Sequence, residues 1–186
     1  MIGWRELRVL IILLQSVNMC NKYLEYFSSL RTAQKLGKPA PHKAILLLSV
    51  MELVESGVIK SNRIELTERL EQAFLKLWKR YIGTSLVFQP KIATPFWHLQ
   101  NEPFWTLYMN DGTDLRMVTS PYSVKRLREN THAVMDPELF ALMQDEDSRA
   151  RLRVTLIGQY LQDQHIPVEN TLTVLAALST LINLAA

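Results

Sequence analysis

The sequence has one cysteine, Cys20, among 186 residues. No intramolecular disulfide can form, and no cysteine-based zinc cluster can be built. A buried or incidental thiol in a reducing cytoplasm is the expectation. Histidine is also scarce. His42, His98, His132 and His165 stand far apart, and none falls in a His-x-Glu-x-x-His or paired-histidine metal spacing. No Walker loop, dinucleotide-binding glycine pattern or nucleophile elbow occurs. Metal, cofactor and catalysis are therefore not expected. Long apolar runs are missing too. Arg5 and Arg8 precede a brief run, Val9 to Leu14, that imitates a signal peptide without a small-residue cleavage site. Residues 1–18 are read as an upstream extension, with Met19 as the natural start. The apolar tail from Thr171 to Ala186 is broken by Thr, Ser and Asn and is too short for a membrane span. It suits a packing or dimerising helix, which leaves a homodimer open, or a terminus altered from its natural continuation.

What is present is a core and an uneven charge. Apolar residues make up 48% of the chain and charged residues 21%, which suits a globular domain. The net charge is only +3, but it is not spread evenly. From Lys22 to Arg128 there are 16 Lys and Arg against 9 Asp and Glu; the flanks hold 5 against 9. A basic centre favours a polyanionic partner. There is no internal repeat and no low-complexity stretch.

Apolar positions at Tyr23, Leu24, Tyr26, Phe27, Leu30 and Leu36 give residues 22–36 a largely helical spacing. Gly37 and Pro39 break it, and Pro41 is placed to open a new helix. The Leu-rich run from His42 to Ser56 then ends at Gly57. Ile59, Ile64 and Leu66 suggest a short strand or extended link. Thr67, followed by Glu68 and Glu71, signals a helix running to about Tyr81. Phe96, Trp97 and Leu99, then Phe104 to Tyr108, read as a two-stranded hairpin around Gln100 to Pro103. Residues 123–130 and 137–161 read as helices. The expected class is α+β, mostly helical: a winged helix-turn-helix-like DNA-binding domain over residues 19–120, with a C-terminal helical segment over 121–186.

The most informative string is KLGKPAPHKAILLLSVMELVESG, from Lys35 to Gly57. It places His42 and Lys43 in the first turn of a helix, where backbone amides attract phosphate. Pro41 and Ala44 offer a small apolar surface on the same turn. Further on come Ile64 and Leu66, then Pro95, Phe96, Trp97 and Leu99, then Phe104 and Trp105. This ordered set resembles the sulfur-binding domain of phosphorothioate-dependent HNH restriction endonucleases, over roughly Met19 to Leu161. The later string LRENTHAVMDPELFALMQDEDSRARLR resembles the segment joining that domain to its nuclease.

The resemblance implies a partner: double-stranded DNA in which sulfur replaces a non-bridging phosphate oxygen. It implies a shallow apolar pocket for the sulfur, walled by Ala40, Pro41 and Ala44, with His42 and Lys43 at its edge. Sulfur is less well hydrated than oxygen, so an apolar wall costs it less desolvation. Lys38 belongs to the same basic stretch, and Arg31 lies near a basic position that contacts DNA in the family. Lys76, Lys79 and Arg80 are further candidate phosphate contacts. The expected role is recognition module of a modification-dependent (type IV) restriction system. An HNH nuclease needs a compact His-Asn-His metal site, and His165 near Asn170 lacks those surroundings.

Other readings use the same residues differently. Pro41 and Ala44 also suit a plain helix start, His42 a capping or partly buried histidine, Lys43 a solvated cation, and the aromatics a core. A sequence-specific winged helix-turn-helix regulator would ignore the sulfur and read bases. A nuclease fragment using His98 or His132 with a carboxylate would nick DNA with divalent metal. Binding to modified and unmodified duplexes separates the three.

Overall fold

A computed structural model describes residues 18–85, 87–112 and 123–162. The readings made for residues 1–17, for the apolar tail and for His165 lie outside the described residues.

One helix organises the rest. Helix α2 (His42–Glu55) buries eleven of its fourteen residues, from Lys43 through Val54. A helix apolar on all sides must be surrounded, and α3 (Glu68–Tyr81), α4 (Ala93–His98), α6 (Pro137–Gln144) and α7 (Glu146–Tyr160) all pack on it. Its end is set by Gly57 at φ 69°. There Gly57 N–H donates to the Val54 carbonyl and Val58 N–H to the Leu53 carbonyl, the paired bonds of a Schellman stop. Helix α1, described over residues 18–28, adds Cys20, Tyr23 and Phe27 to the same core.

Helix α3 forms as its sequence predicts. Thr67 caps it by accepting from Leu70 N–H, Glu68 and Glu71 occupy the first turn, and Lys79 and Arg80 the last. Leu70, Ala73, Phe74, Leu77 and Trp78 give a single buried stripe at i, i+3, i+4, i+7 and i+8.

Two small antiparallel sheets complete the fold. Strands β1 (Gln34–Lys35) and β2 (Lys38–Pro39) make a hairpin just ahead of α2. Strands β3 (Arg63–Ile64), β4 (Trp105–Met109) and β5 (Thr131–Met135) form a sheet in the order β3-β5-β4. Strand β5 alternates, with Thr131, Ala133 and Met135 buried and His132 and Val134 half-buried. Residues on both sides of position 120 thus share one sheet. Helix α5 (Val124–Asn130), capped by Ser123, leads directly into β5.

Three sequence expectations change. Residues 96–108 do not make a hairpin: 93–98 are helical, Leu99–Asn101 is a 3-10 turn, and β4 pairs with β5. The buried residues Ala93, Phe96 and Leu99 repeat every three positions, a helical spacing, and Pro95 sits in a first turn where proline is tolerated. The contiguous wing is therefore absent from this stretch. The helix expected over 22–36 ends at residue 28, and Leu36 lies at the tip of the β1–β2 hairpin instead. The helix expected over 137–161 is two helices. Asp145 is extended between them, and its carboxylate accepts from Ser148 N–H to cap the second.

Candidate nucleic-acid interface

The front end of α2 faces an open hollow of about 290 Å³. The hollow lies between the base of the β1–β2 hairpin and α4. Ala33 and Ala40, joined by the Ala40 N–H bond to the Ala33 carbonyl at 2.8 Å, form one wall, and Thr94 and Pro95 form the other. Arg31, His42, Lys43 and His98 supply its polar rim.

This geometry is held from beneath by one buried carboxylate. Glu102, at the end of the 3-10 turn, accepts from the Lys43 ammonium and, at 3.0 Å, from Arg31 N–H. The Tyr160 hydroxyl, from the end of α7, accepts from Leu30 N–H at 2.8 Å. The loop carrying Arg31 is therefore fastened to the end of the 3-10 turn and to α7, and the start of α2 to the same Glu102 carboxylate.

The structure redistributes the predicted site residues. Ala40 and His42 are half-buried and line the hollow. Arg31 is exposed at its rim. Lys38 lies on β2 beside the hairpin's tip, where it pairs with Lys35. Pro41 is buried and Ala44 is 0% exposed, so neither presents a surface. Proline opens the helix and alanine packs beneath it, which is what a tightly surrounded first turn requires. Lys43 borders the hollow, but its side chain is only 7% exposed and its charge is matched by Glu102. It is a structural ion pair rather than a free phosphate contact. Lys76 pairs with Glu52, and Lys76 and Arg80 line a different hollow beside Glu55 and Arg153. Lys79 is exposed on α3.

His42 is fixed in one tautomer. Its Nε2–H donates to the Gln89 carbonyl at 2.8 Å, and its ring packs 4.8 Å from Trp78 and edge-on to Phe88. Burial lowers its pKa below the ordinary histidine value, and nearby Lys35 and Lys91 lower it further. Burial and Lys43 lower His98 likewise. Both rings are neutral near pH 7, so the positive field at the front comes from lysine and arginine.

Sequence reading missed Lys35 and Lys91, and the signal was available. No Asp or Glu occurs from residue 26 to 51, where Arg31, Lys35, Lys38 and Lys43 fall. None occurs from 72 to 101, where Lys76, Lys79, Arg80 and Lys91 fall. The fold brings these two acid-free stretches together around His42. Such a surface attracts polyanions. Among the described residues no group of three or more His, Cys, Asp or Glu is arranged to hold a metal, and no helix is long and apolar enough to cross a membrane.

Comparison with known proteins places this architecture. The family model for ScoMcrA-like DNA sulfur-binding domains matches residues 20–172, most of the chain. The chain belongs to this family. Solved sulfur-binding domains share its fold at low sequence identity. The sulfur-binding domain of ScoMcrA complexed with phosphorothioated DNA matches at 18% identity and a TM-score of 0.57, over 74% of this chain and 86% of that one. The corresponding SprMcrA domain, also complexed with phosphorothioated DNA, matches at 16% and 0.56, over 76% and 85%. A ScoMcrA structure that adds an SRA domain matches at 17% and 0.56, over 78% of this chain and 44% of that one. No curated protein sequence matches. Membership makes this chain a DNA sulfur-binding domain and gives no support to the winged-helix regulator reading.

Proposed function

We propose that this domain binds double-stranded DNA carrying phosphorothioate linkages and seats the sulfur in the hollow at the front of α2. One observation carries the reading. A small hollow walled by Ala33, Ala40, Thr94 and Pro95 opens beside Arg31, and its lining includes no carboxylate among the described residues. A phosphate oxygen placed against the apolar faces of Ala33, Ala40 and Pro95 loses water there without gaining a donor from them. A sulfur loses less, because it is larger, softer and weakly hydrated. The walls therefore discriminate, while Arg31, Lys35, Lys38 and Lys91 supply affinity that does not depend on sulfur. The domain acts by binding, as the recognition module of a modification-dependent restriction system, and performs no chemical step itself.

The test is a paired titration at one fixed salt concentration, using one duplex sequence with and without the phosphorothioate. The modified duplex binds more tightly. Ala40→Glu puts a carboxylate at a half-buried position in the wall and abolishes the preference, with roughly a hundredfold loss on the modified duplex. Equal binding of both duplexes by the unaltered protein overturns the proposal.

A further inference from the structure

The β1–β2 hairpin contains an apolar residue that the fold does not explain. Leu36 is 84% exposed at its tip, the most exposed large hydrophobic among the described residues. Its φ is +52°, in the left-handed region, and the next residue, Gly37, has φ +73°. Strand pairing of Lys35 with Lys38 leaves only these two residues in the loop. Two-residue loops with positive φ at both positions favour Asn-Gly or Asp-Gly, because a short polar side chain tolerates that backbone and a leucine does not. Leu36 thus carries both a conformational cost and an exposed apolar surface. Neither helps folding, and strained exposed residues concentrate at functional positions.

Its surroundings indicate what it touches. Lys35 and Lys38 flank it, and Ala33 and Ala40, at the hairpin's base, line the hollow. The two strand residues Gln34 and Lys35 separate Ala33 from Leu36, three steps along the chain, so the tip stands about 10 Å from the Ala33 wall of the hollow. A backbone linkage seated in the hollow lies on the rim of both grooves. From there a tip of that reach, flanked by cations that bridge to phosphates, enters a groove and meets base edges or a base step. Apolar side chains that enter DNA in this way act as wedges.

We infer that Leu36 is a DNA-contacting wedge that enters the groove beside the bound linkage and senses the base pairs flanking it. The inference rests on the proposed seating of the linkage in the hollow. It assigns two tasks to two places: the hollow detects sulfur, and the hairpin tip responds to neighbouring bases.

Leu36→Asn tests this cleanly, because asparagine suits the left-handed backbone and the hairpin is kept or strengthened. The melting temperature of Leu36→Asn equals or exceeds that of the unaltered protein. Its affinity for the modified duplex falls about tenfold, while the ratio between modified and unmodified duplexes is kept. A duplex with 2-aminopurine next to the phosphorothioate brightens on binding the unaltered protein, as the base unstacks, and not on binding Leu36→Asn. If the unaltered protein prefers the modified duplex but Leu36→Asn binds equally well with the same 2-aminopurine signal, the wedge is overturned and the hollow stands. If the unaltered protein shows no preference for sulfur, the seating fails and the wedge fails with it.

Discussion

The two ends of α2 are both rich in charge, yet they do opposite things with it. At the far end, Glu55 pairs with Arg149 and Arg153, and Glu52 pairs with Lys76. Charges there neutralise one another and tie α2 to α3 and α7. At the front end the chain supplies Arg31, Lys35, Lys38 and Lys91 from stretches without a single carboxylate. The acid that reaches this end, Glu102, is buried and committed to Lys43 and Arg31 N–H. Net charge hides this difference, since both ends contain several cations. What distinguishes a candidate anion site is where carboxylates are withheld.

The comparison breaks most easily at the buried pair. Lys43 and Glu102 are 7% and 5% exposed. Removing one partner leaves a buried charge without its counterpart, at a cost of about 3–5 kcal/mol. Lys43→Met is therefore expected to lower the urea midpoint sharply, and Glu102→Gln to do the same. Replacing both with apolar residues restores much of the loss, because no charge is left stranded. A single variant with unchanged stability would mean that the pair is solvated and that Lys43 is available to phosphate after all.

Exposed charges sharpen the comparison at smaller cost. Arg31→Ala and Lys35→Ala each weaken modified and unmodified duplexes by roughly tenfold and reduce the slope of log affinity against log salt by about 1. Lys76→Ala, at the opposite end and already matched by Glu52, changes neither. Titrations at three salt concentrations read both quantities. Loss of binding in Lys76→Ala equal to that in Arg31→Ala would extend the interface along α3 and erase the distinction between the two ends.

The reach of the sequence follows the same division. Helices α2 and α3 were legible because their boundaries are chemical: Pro41 and Gly57 around one, Thr67 with Glu68 and Glu71 around the other. The segment from Ala93 to Leu107 was not. Its aromatics suit a strand or a buried helix equally, and only a partner decides. Strand β4 found that partner in β5, which begins 22 residues beyond β4's end. The site was half legible. Ala40 and His42, which line the hollow, stand in the family string around the first turn of α2, and Arg31 at its rim lies outside that string, near a basic position of the family. The opposite wall at Thr94 and Pro95 opens a helix whose next residues, Phe96 and Trp97, read as a strand in the sequence. Lys43 looked like any other first-turn lysine, since burial against Glu102, 59 residues away, leaves no local mark.

The smallest expected effect concerns acid, and it separates the front's neutral histidines from its cations. His42 is held below its ordinary pKa by burial and by Lys35 and Lys91. In the unfolded chain it titrates near the ordinary value of about 6.5. The unfolded state therefore takes up the proton first as pH falls. The stability gained from a neutral, stacked His42 is fully present above that value and is lost as pH drops toward the folded one. His98 adds in the same direction. His42→Phe keeps an aromatic ring against Trp78 but cannot be protonated. Melting curves at pH 7.5 and 5.5 are expected to show a larger drop for the unaltered protein than for His42→Phe, even if the variant is less stable at pH 7.5 for want of the Gln89 bond. An equal drop in both would place the acid sensitivity elsewhere. It would also mean that protonated His42 is tolerated at the front, where it would then join the lysines in facing DNA.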